Sequence, residues 1–95
     1  FDARLYIPED AQVVLRTRRK GERFAPLGLN GHTQKLSEWM VDHKVPRAMR
    51  DNVPLLVVEG QIATILYGEQ WTISEFFVVK DKEKRIVYIQ KSVWD

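Results

Sequence analysis

The sequence has no cysteine and only two histidines, and these shortages exclude several kinds of chemistry. Without cysteine there is no disulfide, no thiolate zinc site and no cysteine nucleophile. His32 and His43 are far apart and have no acidic residues around them at metal-ligand spacing. A G-x-S-x-G nucleophile elbow, a P-loop and a dinucleotide-binding fingerprint are absent as well. We therefore expect no catalytic residue, metal or cofactor in these residues and no activity from them alone.

Long apolar segments are also lacking. No apolar run approaches the ~18 residues of a membrane-spanning helix, and no secretory signal is visible. Together with the absence of cysteine, this predicts a cytoplasmic protein with no membrane partner. The first residue is Phe1, which predicts a piece of a longer protein. A length of 95 residues, of which 44% are hydrophobic and 29% charged, predicts one folded domain over residues 1–95.

The positive charge is concentrated in one part of the chain. Residues 16–50 contain nine basic and three acidic residues, a net charge of +6. The remainder contains six basic and ten acidic residues, a net charge of −4, which leaves +2 for the whole chain. Such a division indicates a basic surface directed at an anionic partner. The alternative, equally weighted on charge alone, is that these side chains only solvate loops and helix faces.

The first strand is predicted at residues 11–16, which are rich in β-branched side chains. Val13 and Leu15 would face one side of this strand, and Val14 and Arg16 the other. A basic run follows and leads into a predicted turn at Gly21.

A helical period appears once, in side chains spaced i, i+3, i+4 and i+7: Leu36, Trp39, Met40 and His43. We expect this face to be packed in the core, so that Trp39 is not a base-stacking platform. Thr33 is predicted to cap the N-terminus of the helix, and Lys44 to lie in its last turn. Pro46 is predicted to end this helix and to begin a second short one over residues 47–51.

The second half of the chain has a β pattern. An apolar run at 54–58 is followed by a two-residue turn at 59–60 and a partner strand at 61–67. Further strands are predicted at 75–79 and, after a charged tip, at 85–90. The whole pattern predicts a mainly β (α+β) fold with five or six strands and two short helices, arranged as a small β-sandwich or barrel.

Two groups of basic residues are candidates for binding nucleic acid. The first follows the first strand, and the second lies at the helix–proline–helix junction: Arg16, Arg18, Arg19, Lys20 and Arg23, then Lys44, Arg47 and Arg50. Guanidinium groups match the geometry of phosphates. For the two groups to act together, the fold has to bring them onto one face.

The order and spacing of these residues resemble a known family. The matching segments are Arg16-x-Arg18-Arg19-x-Gly21-Glu22-Arg23-Phe24-x-Pro26-x-Gly28, Gly31-x-x-x-Lys35-Leu36-Ser37-Glu38, Asp42-x-Lys44-Val45-Pro46-x-x-x-Arg50-Asp51-x-x-Pro54-Leu55-Leu56 and Ile73-Ser74-Glu75-x-Phe77. Together they resemble the C-terminal domain of tRNA(Ile)-lysidine synthetase. Four features depart from the family pattern: Lys20 stands where proline is common, Glu22 where aspartate is common, Gln34 replaces the first lysine of a pair, and the stretch after Gly60 lacks a Trp-Val pair.

The resemblance implies a fold and a function. The fold would be the small β domain shared with the phenylalanyl-tRNA synthetase β subunit. The parent enzyme would be an ATP-dependent ligase that joins lysine to cytidine 34 of the isoleucine tRNA with a CAU anticodon. ATP and lysine would bind an N-terminal catalytic domain, whose Ser-Gly-Gly-x-Asp-Ser loop this chain lacks. This domain would hold the acceptor-stem side of the tRNA.

The resemblance and the charge pattern together predict a tRNA-facing set of eight residues: Arg16, Arg18, Arg19, Arg23, Lys35, Lys44, Arg47 and Arg50. An equally weighted hypothesis assigns some of them, Arg23 and Arg50 above all, to structural pairs with Glu22, Asp51 or loop carbonyls. The rival function is an interdomain or protein–protein interaction module whose basic face packs on its parent enzyme. An independent enzyme is a third, weaker hypothesis.

Overall fold

The computed structural model describes residues 3–69, 71–78 and 86–89. Within these residues it contains eight strands: β1 (Ala3–Tyr6), β2 (Val13–Arg16), β3 (Arg23–Phe24), β4 (Gln34–Lys35), β5 (Leu55–Val58), β6 (Gln61–Ile65), β7 (Thr72–Ile73) and β8 (Ile86–Ile89). Helix α1 spans Leu36–Asp42, a first 3-10 helix spans Arg47–Asn52 and a second spans Glu75–Phe77. The predicted mainly β fold with two short helices in the first half of the chain is confirmed. The prediction of five or six strands is too low for the described residues, where three of the eight strands have only two residues each.

The central sheet is antiparallel, with the strand order β2-β5-β6-β7. Its middle pair, β5 and β6, is joined by the predicted turn, in which Glu59 and Gly60 have φ angles of 49° and 78°. Positive φ at both central positions is typical of the tight turns that match the twist of a hairpin. The Glu59 carboxylate also accepts a hydrogen bond from the Gln12 backbone N–H at 2.7 Å, which ties the turn to the chain entering β2.

The β5–β6 pair is buried on both faces. Side chains alternate along a strand, so Leu55 and Val57 face one side and Leu56 and Val58 the other. The first pair packs in a cluster with Trp39 of α1, whereas the second packs in a separate cluster with residues such as Leu5 of β1. All four residues of β5 are buried, which explains why the sequence shows a continuous apolar run there rather than an alternating one.

Helix α1 presents three of the four predicted residues to the core, since Leu36, Trp39 and Met40 are buried. The prediction is wrong for His43, which lies beyond the end of the helix and is exposed. Phe24 of β3 packs edge-on against Trp39, with ring centroids 6.2 Å apart. His43 follows the helix, and its ring stacks on Trp39 at a centroid distance of 4.0 Å. The His43 Nδ1 atom lies 2.9 Å from the Trp39 carbonyl oxygen. Trp39 is therefore a core residue, and its ring contacts the rings of both Phe24 and His43.

The predictions for the ends of α1 are wrong at both termini. Lys35 occupies the N-cap position without a side-chain cap. Thr33 precedes β4, which separates it from the helix, and its hydroxyl accepts a hydrogen bond from Arg23 Nε at 3.0 Å. The helix ends at Asp42, and Lys44 lies beyond it with a left-handed φ of 56°.

The strand predicted at 75–79 is also wrong over the part that the structure describes. The strand lies earlier, in β7, and Glu75–Phe77 forms the second 3-10 helix. This helix begins where the Ser74 hydroxyl accepts a hydrogen bond from the Phe76 backbone N–H. Position 79, the charged tip at 81–84 and the ends of the strand predicted at 85–90 lie outside the described residues; the middle of that strand is β8. Strand β1, which pairs with β8, was not predicted from the sequence.

Strand β2 forms where it was predicted, but its apolar side chains are not buried. Val13, Val14 and Leu15 are 45%, 42% and 63% exposed. The strand pairs with β5 and lies at the edge of the central sheet. The predicted alternation of its side chains agrees with this register, because Val13 and Leu15 lie opposite Val58 and Leu56. A β-branched sequence thus produces an edge strand rather than a core strand.

Leu55→Ala is expected to lower the free energy of unfolding by about 2–5 kcal/mol, because it removes a fully buried side chain from the doubly covered strand. Urea denaturation measures the loss. Leu27→Ala is the matched control: Leu27 is 52% exposed, and its change should stay within about 0.5 kcal/mol. Equal losses in the two variants would contradict the proposed position of the core.

Candidate nucleic-acid interface

The basic loop between β2 and β3, residues 17–22, is held together by one carboxylate. Both Glu22 carboxylate oxygens accept hydrogen bonds from the guanidinium of Arg16, and one also accepts from the Arg19 backbone N–H at 3.1 Å. The Glu22 carbonyl accepts from the backbone N–H of Leu36 at 2.9 Å. Gly21 has a φ of 75°, which lets the chain reverse its direction between Arg19 and Glu22. Glu22 therefore fixes the loop both to its own start and to α1.

The environment of Glu22 lowers the pKa of its carboxyl group below the usual 4.5. Burial raises this pKa. The hydrogen bonds from Arg16 and from the Arg19 backbone, with the positive charges of both arginines, outweigh that effect. The same pair raises the pKa of Arg16, mainly through its hydrogen bond to Glu22. Both groups stay charged at neutral pH, so the loop keeps its fixed geometry there.

An ion pair joins the basic loop to the first 3-10 helix. Arg18 Nε lies 2.9 Å from Asp51 Oδ1. The side chains are 26% and 83% exposed, and a pair this exposed contributes at most about 1 kcal/mol to stability. Its importance is positional: residues 33 positions apart in sequence are brought into contact. The ion pair thus brings the basic loop into contact with the 3-10 helix that contains Arg47 and Arg50.

Two further cations of the predicted set face each other across the short ribbon of β3 and β4. Arg23 is paired directly with Lys35 in the antiparallel register. Like charges in this arrangement oppose folding. The Arg23 guanidinium is turned to Thr33, where it donates to the hydroxyl at 3.0 Å and to the carbonyl at 3.2 Å. The Lys35 side chain stays exposed.

At the junction of the helices, Arg50 is directed back into the protein. Its Nε donates to the Val45 carbonyl at 3.0 Å, which fixes the first 3-10 helix to the segment after α1. Lys44 and Arg47 are exposed. Gln34, which stands where the family pattern has a lysine, donates from its amide to Asp42 Oδ2 at 2.9 Å. It therefore adds a contact to α1 in place of a positive charge.

The structure divides the eight predicted residues into two groups of four. The first group has protein partners: Arg16, Arg18, Arg23 and Arg50. The second group has side chains that make no hydrogen bond or ion pair to the residues the structure describes: Arg19, Lys35, Lys44 and Arg47. Arg23 and Arg50 use hydroxyl and carbonyl oxygens, whereas the carboxylates of Glu22 and Asp51 pair with Arg16 and Arg18. The second group is available to an external anion.

A cavity of about 360 Å³ lies between the basic loop and the start of α1. It is lined by residues 18–22, by Leu36 and Ser37, and by Asp51. Lys20 and Ser37 were not among the eight predicted residues. Lys20 belongs to the first basic group of the sequence, whereas Ser37 can be recognised only when α1 is placed beside the loop.

The described part of the chain offers neither a metal site nor a membrane-spanning helix. No group of three His, Asp or Glu side chains there could hold a metal ion. No helix within residues 3–69, 71–78 and 86–89 is long and apolar enough to cross a membrane.

The fold and the basic loop define a class: a small, mainly β domain with a central antiparallel sheet and a cationic loop beside a short helix. The sequence model of the family described as "TilS substrate C-terminal domain" matches residues 13–89. The chain therefore belongs to this family.

Individual relatives agree with this assignment. The tRNA(Ile)-lysidine synthase of Persephonella marina is 40% identical over 79 residues, which cover 83% of this chain and 17% of that protein. The tRNA(Ile)-lysidine synthase of Caldanaerobacter subterraneus subsp. tengcongensis is 34% identical over 79 residues, 83% of this chain and 16% of that protein. The chain thus spans about a sixth of the length of these relatives.

A solved structure supports the fold directly. The structure described as "Crystal structure of TILS C-terminal domain" superposes with a TM-score of 0.69 at 26% sequence identity. The match covers 90% of this chain and 65% of that one. The predicted resemblance is therefore confirmed by both sequence and structure.

Glu22→Gln is expected to reduce the stability of the chain and to change its dependence on pH. Because folding lowers the Glu22 pKa, its contribution is complete above the ordinary value of 4.5 and is lost as the pH falls through the folded-state pKa. The difference in unfolding free energy between the native chain and the Glu22→Gln variant should therefore shrink below pH 4.5. Urea denaturation at a series of pH values measures it.

The difference between the two proteins isolates the contribution of this one carboxyl group. Asp51→Asn is the matched control. The Asp51 carboxylate also pairs with an arginine, Arg18, but its side chain is 83% exposed. A difference for Glu22→Gln that stays constant down to about pH 3 would contradict the lowered pKa.

Proposed function

We propose that this chain is the tRNA-binding domain of a tRNA(Ile)-lysidine synthase. In this proposal it holds the acceptor-stem side of the isoleucine tRNA with a CAU anticodon. A separate N-terminal domain of the cytoplasmic parent enzyme uses ATP to join lysine to the anticodon cytidine. The observation that carries the proposal is the Arg18–Asp51 contact, which joins the basic loop to the 3-10 helix that contains Arg47 and Arg50.

The distribution of charge supports an anionic partner with several contact points. Arg19, Lys35, Lys44 and Arg47 are exposed and belong to four different parts of the segment 16–50. A polyanion neutralises such a dispersed set better than a single small ligand does, because each phosphate contact releases counterions. The opposition of Arg23 and Lys35 across the β3–β4 ribbon fits the same interpretation, since an RNA phosphate would relieve their repulsion.

The aromatic residues support contact with a duplex rather than with unstacked bases. Single-stranded RNA is usually bound by exposed aromatic rings on which bases stack. Here Trp39 and Phe24, the aromatic residues beside the basic loop and α1, are buried in the core. Phe76 is 60% exposed, but it lies on the second 3-10 helix and does not line the cavity beside the basic loop. A double-stranded stem would instead be recognised through phosphates, 2′-hydroxyl groups and shape. Holding the stem at a distance would help to fix the anticodon in the catalytic domain.

A second candidate function is an interaction module that packs on its parent enzyme. Strand β2 favours it, because Val13, Val14 and Leu15 expose apolar surface at the edge of the central sheet. Exposed apolar groups that lie together are typical of protein contacts. Strand β2 ends at Arg16, where the basic loop begins, so this apolar surface and the basic loop adjoin each other along the chain.

The proposal predicts tRNA binding that weakens steeply with salt. Four phosphate contacts, one for each residue of the predicted set whose side chain has no partner among the described residues, give a slope of log K against log salt of about −3 to −4. Fluorescence anisotropy of labelled tRNA measures it over a range of salt concentrations. The double variant Arg19→Glu and Arg47→Glu should bind at least about tenfold more weakly, with the slope reduced to about −1.5 to −2.

The matched control is Arg19→Lys with Arg47→Lys, which preserves charge and should keep both affinity and slope close to those of the native chain. Melting curves establish that the variants fold. A flat salt dependence in the native chain would favour the interaction module and reject the RNA-binding proposal.

A further inference from the structure

We infer that the cavity between the basic loop and α1 is a binding site for a terminal phosphate monoester of RNA. The inference rests on the proposed function and makes it more specific. It assigns the cavity to the phosphorylated end of a stem, whereas Lys35, Lys44 and Arg47 would contact phosphodiesters along the strand. The charge, the donors and the shape of the cavity each support this assignment.

The charge of the cavity matches a dianion. Its lining includes the cations Arg18, Arg19 and Lys20 and the carboxylates Glu22 and Asp51. Glu22 is neutralised by Arg16, and Asp51 by Arg18. The side chains of Arg19 and Lys20 form no ion pair with the residues that the structure describes, so the site formed by the lining and Arg16 keeps a net charge of +2. A phosphate monoester carries about −1.5 to −2 at neutral pH, against −1 for a phosphodiester.

The donors in the cavity are also arranged for a phosphate. Arg18 is held by Asp51 through Nε alone, so the N–H groups of its two terminal nitrogens remain available for a forked contact. Arg19 and Lys20 add charged donors, and Ser37 adds a hydroxyl at the start of α1. Glu22 positions these donors. Its carboxylate accepts a hydrogen bond from the Arg19 backbone N–H, and its carbonyl accepts one from the Leu36 backbone N–H.

The concave shape favours an end of the chain over its middle. A phosphate within a duplex is flanked on both sides by neighbours on a convex surface, and it meets a protein most readily on an open face. A terminal phosphate projects from the stem and can enter a recess. A cavity of about 360 Å³ is large enough for a phosphate together with part of its sugar.

The first experiment uses inorganic phosphate and the folded chain. In NMR titrations, phosphate should shift the backbone amide signals of Lys20, Gly21 and Ser37, with chloride at equal ionic strength as the reference. Lys20→Ala with Ser37→Ala should weaken phosphate binding roughly tenfold or more. Lys44→Ala, which removes a free cation outside the cavity lining, should leave it unchanged. No shift at these amides, or equal loss in both variants, would overturn the inference.

The second experiment compares 5′-phosphorylated and 5′-hydroxyl forms of one tRNA. The native chain should bind the phosphorylated form roughly tenfold more tightly, and Lys20→Ala with Ser37→Ala should remove this preference. Lys44→Ala should weaken the binding of both forms but keep their ratio.

The outcomes separate the two proposals. Steep salt-dependent binding with no preference between the two forms would overturn the terminal-phosphate site and leave the tRNA-binding function intact. Absence of tRNA binding at low salt would reject the tRNA-binding function, whether or not inorganic phosphate occupied the cavity.

Discussion

The contact between Glu22 and Arg16 is the interaction on which the basic surface depends. Without it, a loop with several adjacent cations would spread to separate its charges. Glu22 compensates one of these charges directly, bonds the Arg19 backbone and links the loop to Leu36. A single acidic residue inside the basic run thus fixes the positions of its neighbours. The family pattern commonly has aspartate at this position, and the longer glutamate retains the carboxylate.

The parts of the fold that were predicted correctly are those determined by local pattern. The apolar spacing of α1 places Leu36, Trp39 and Met40 in the core, and the Glu59–Gly60 pair produces the β5–β6 hairpin. The errors have partners distant in sequence. Thr33 contacts Arg23 instead of capping the helix, and β1 pairs with β8, which lies near the other end of the chain. Periodicity within a short window contains no information on such contacts.

The candidate site shows the same division. Composition and spacing identified a basic segment and its residue types, because the chemistry of phosphate binding requires them. They did not determine which cations would be used by the protein itself. Arg16 and Arg18 are paired with carboxylates, whereas Arg19, between them and Glu22, has a free side chain. Neighbouring residues of one type therefore have different roles, and only the backbone geometry of the loop distinguishes them.

The arrangement of cations makes a physical case for binding. A domain selected only for stability would not place Arg23 directly opposite Lys35. This arrangement opposes folding slightly, through repulsion between like charges. A small domain has little stability to spare, so such arrangements are most readily explained by an anionic partner that neutralises them in the complex.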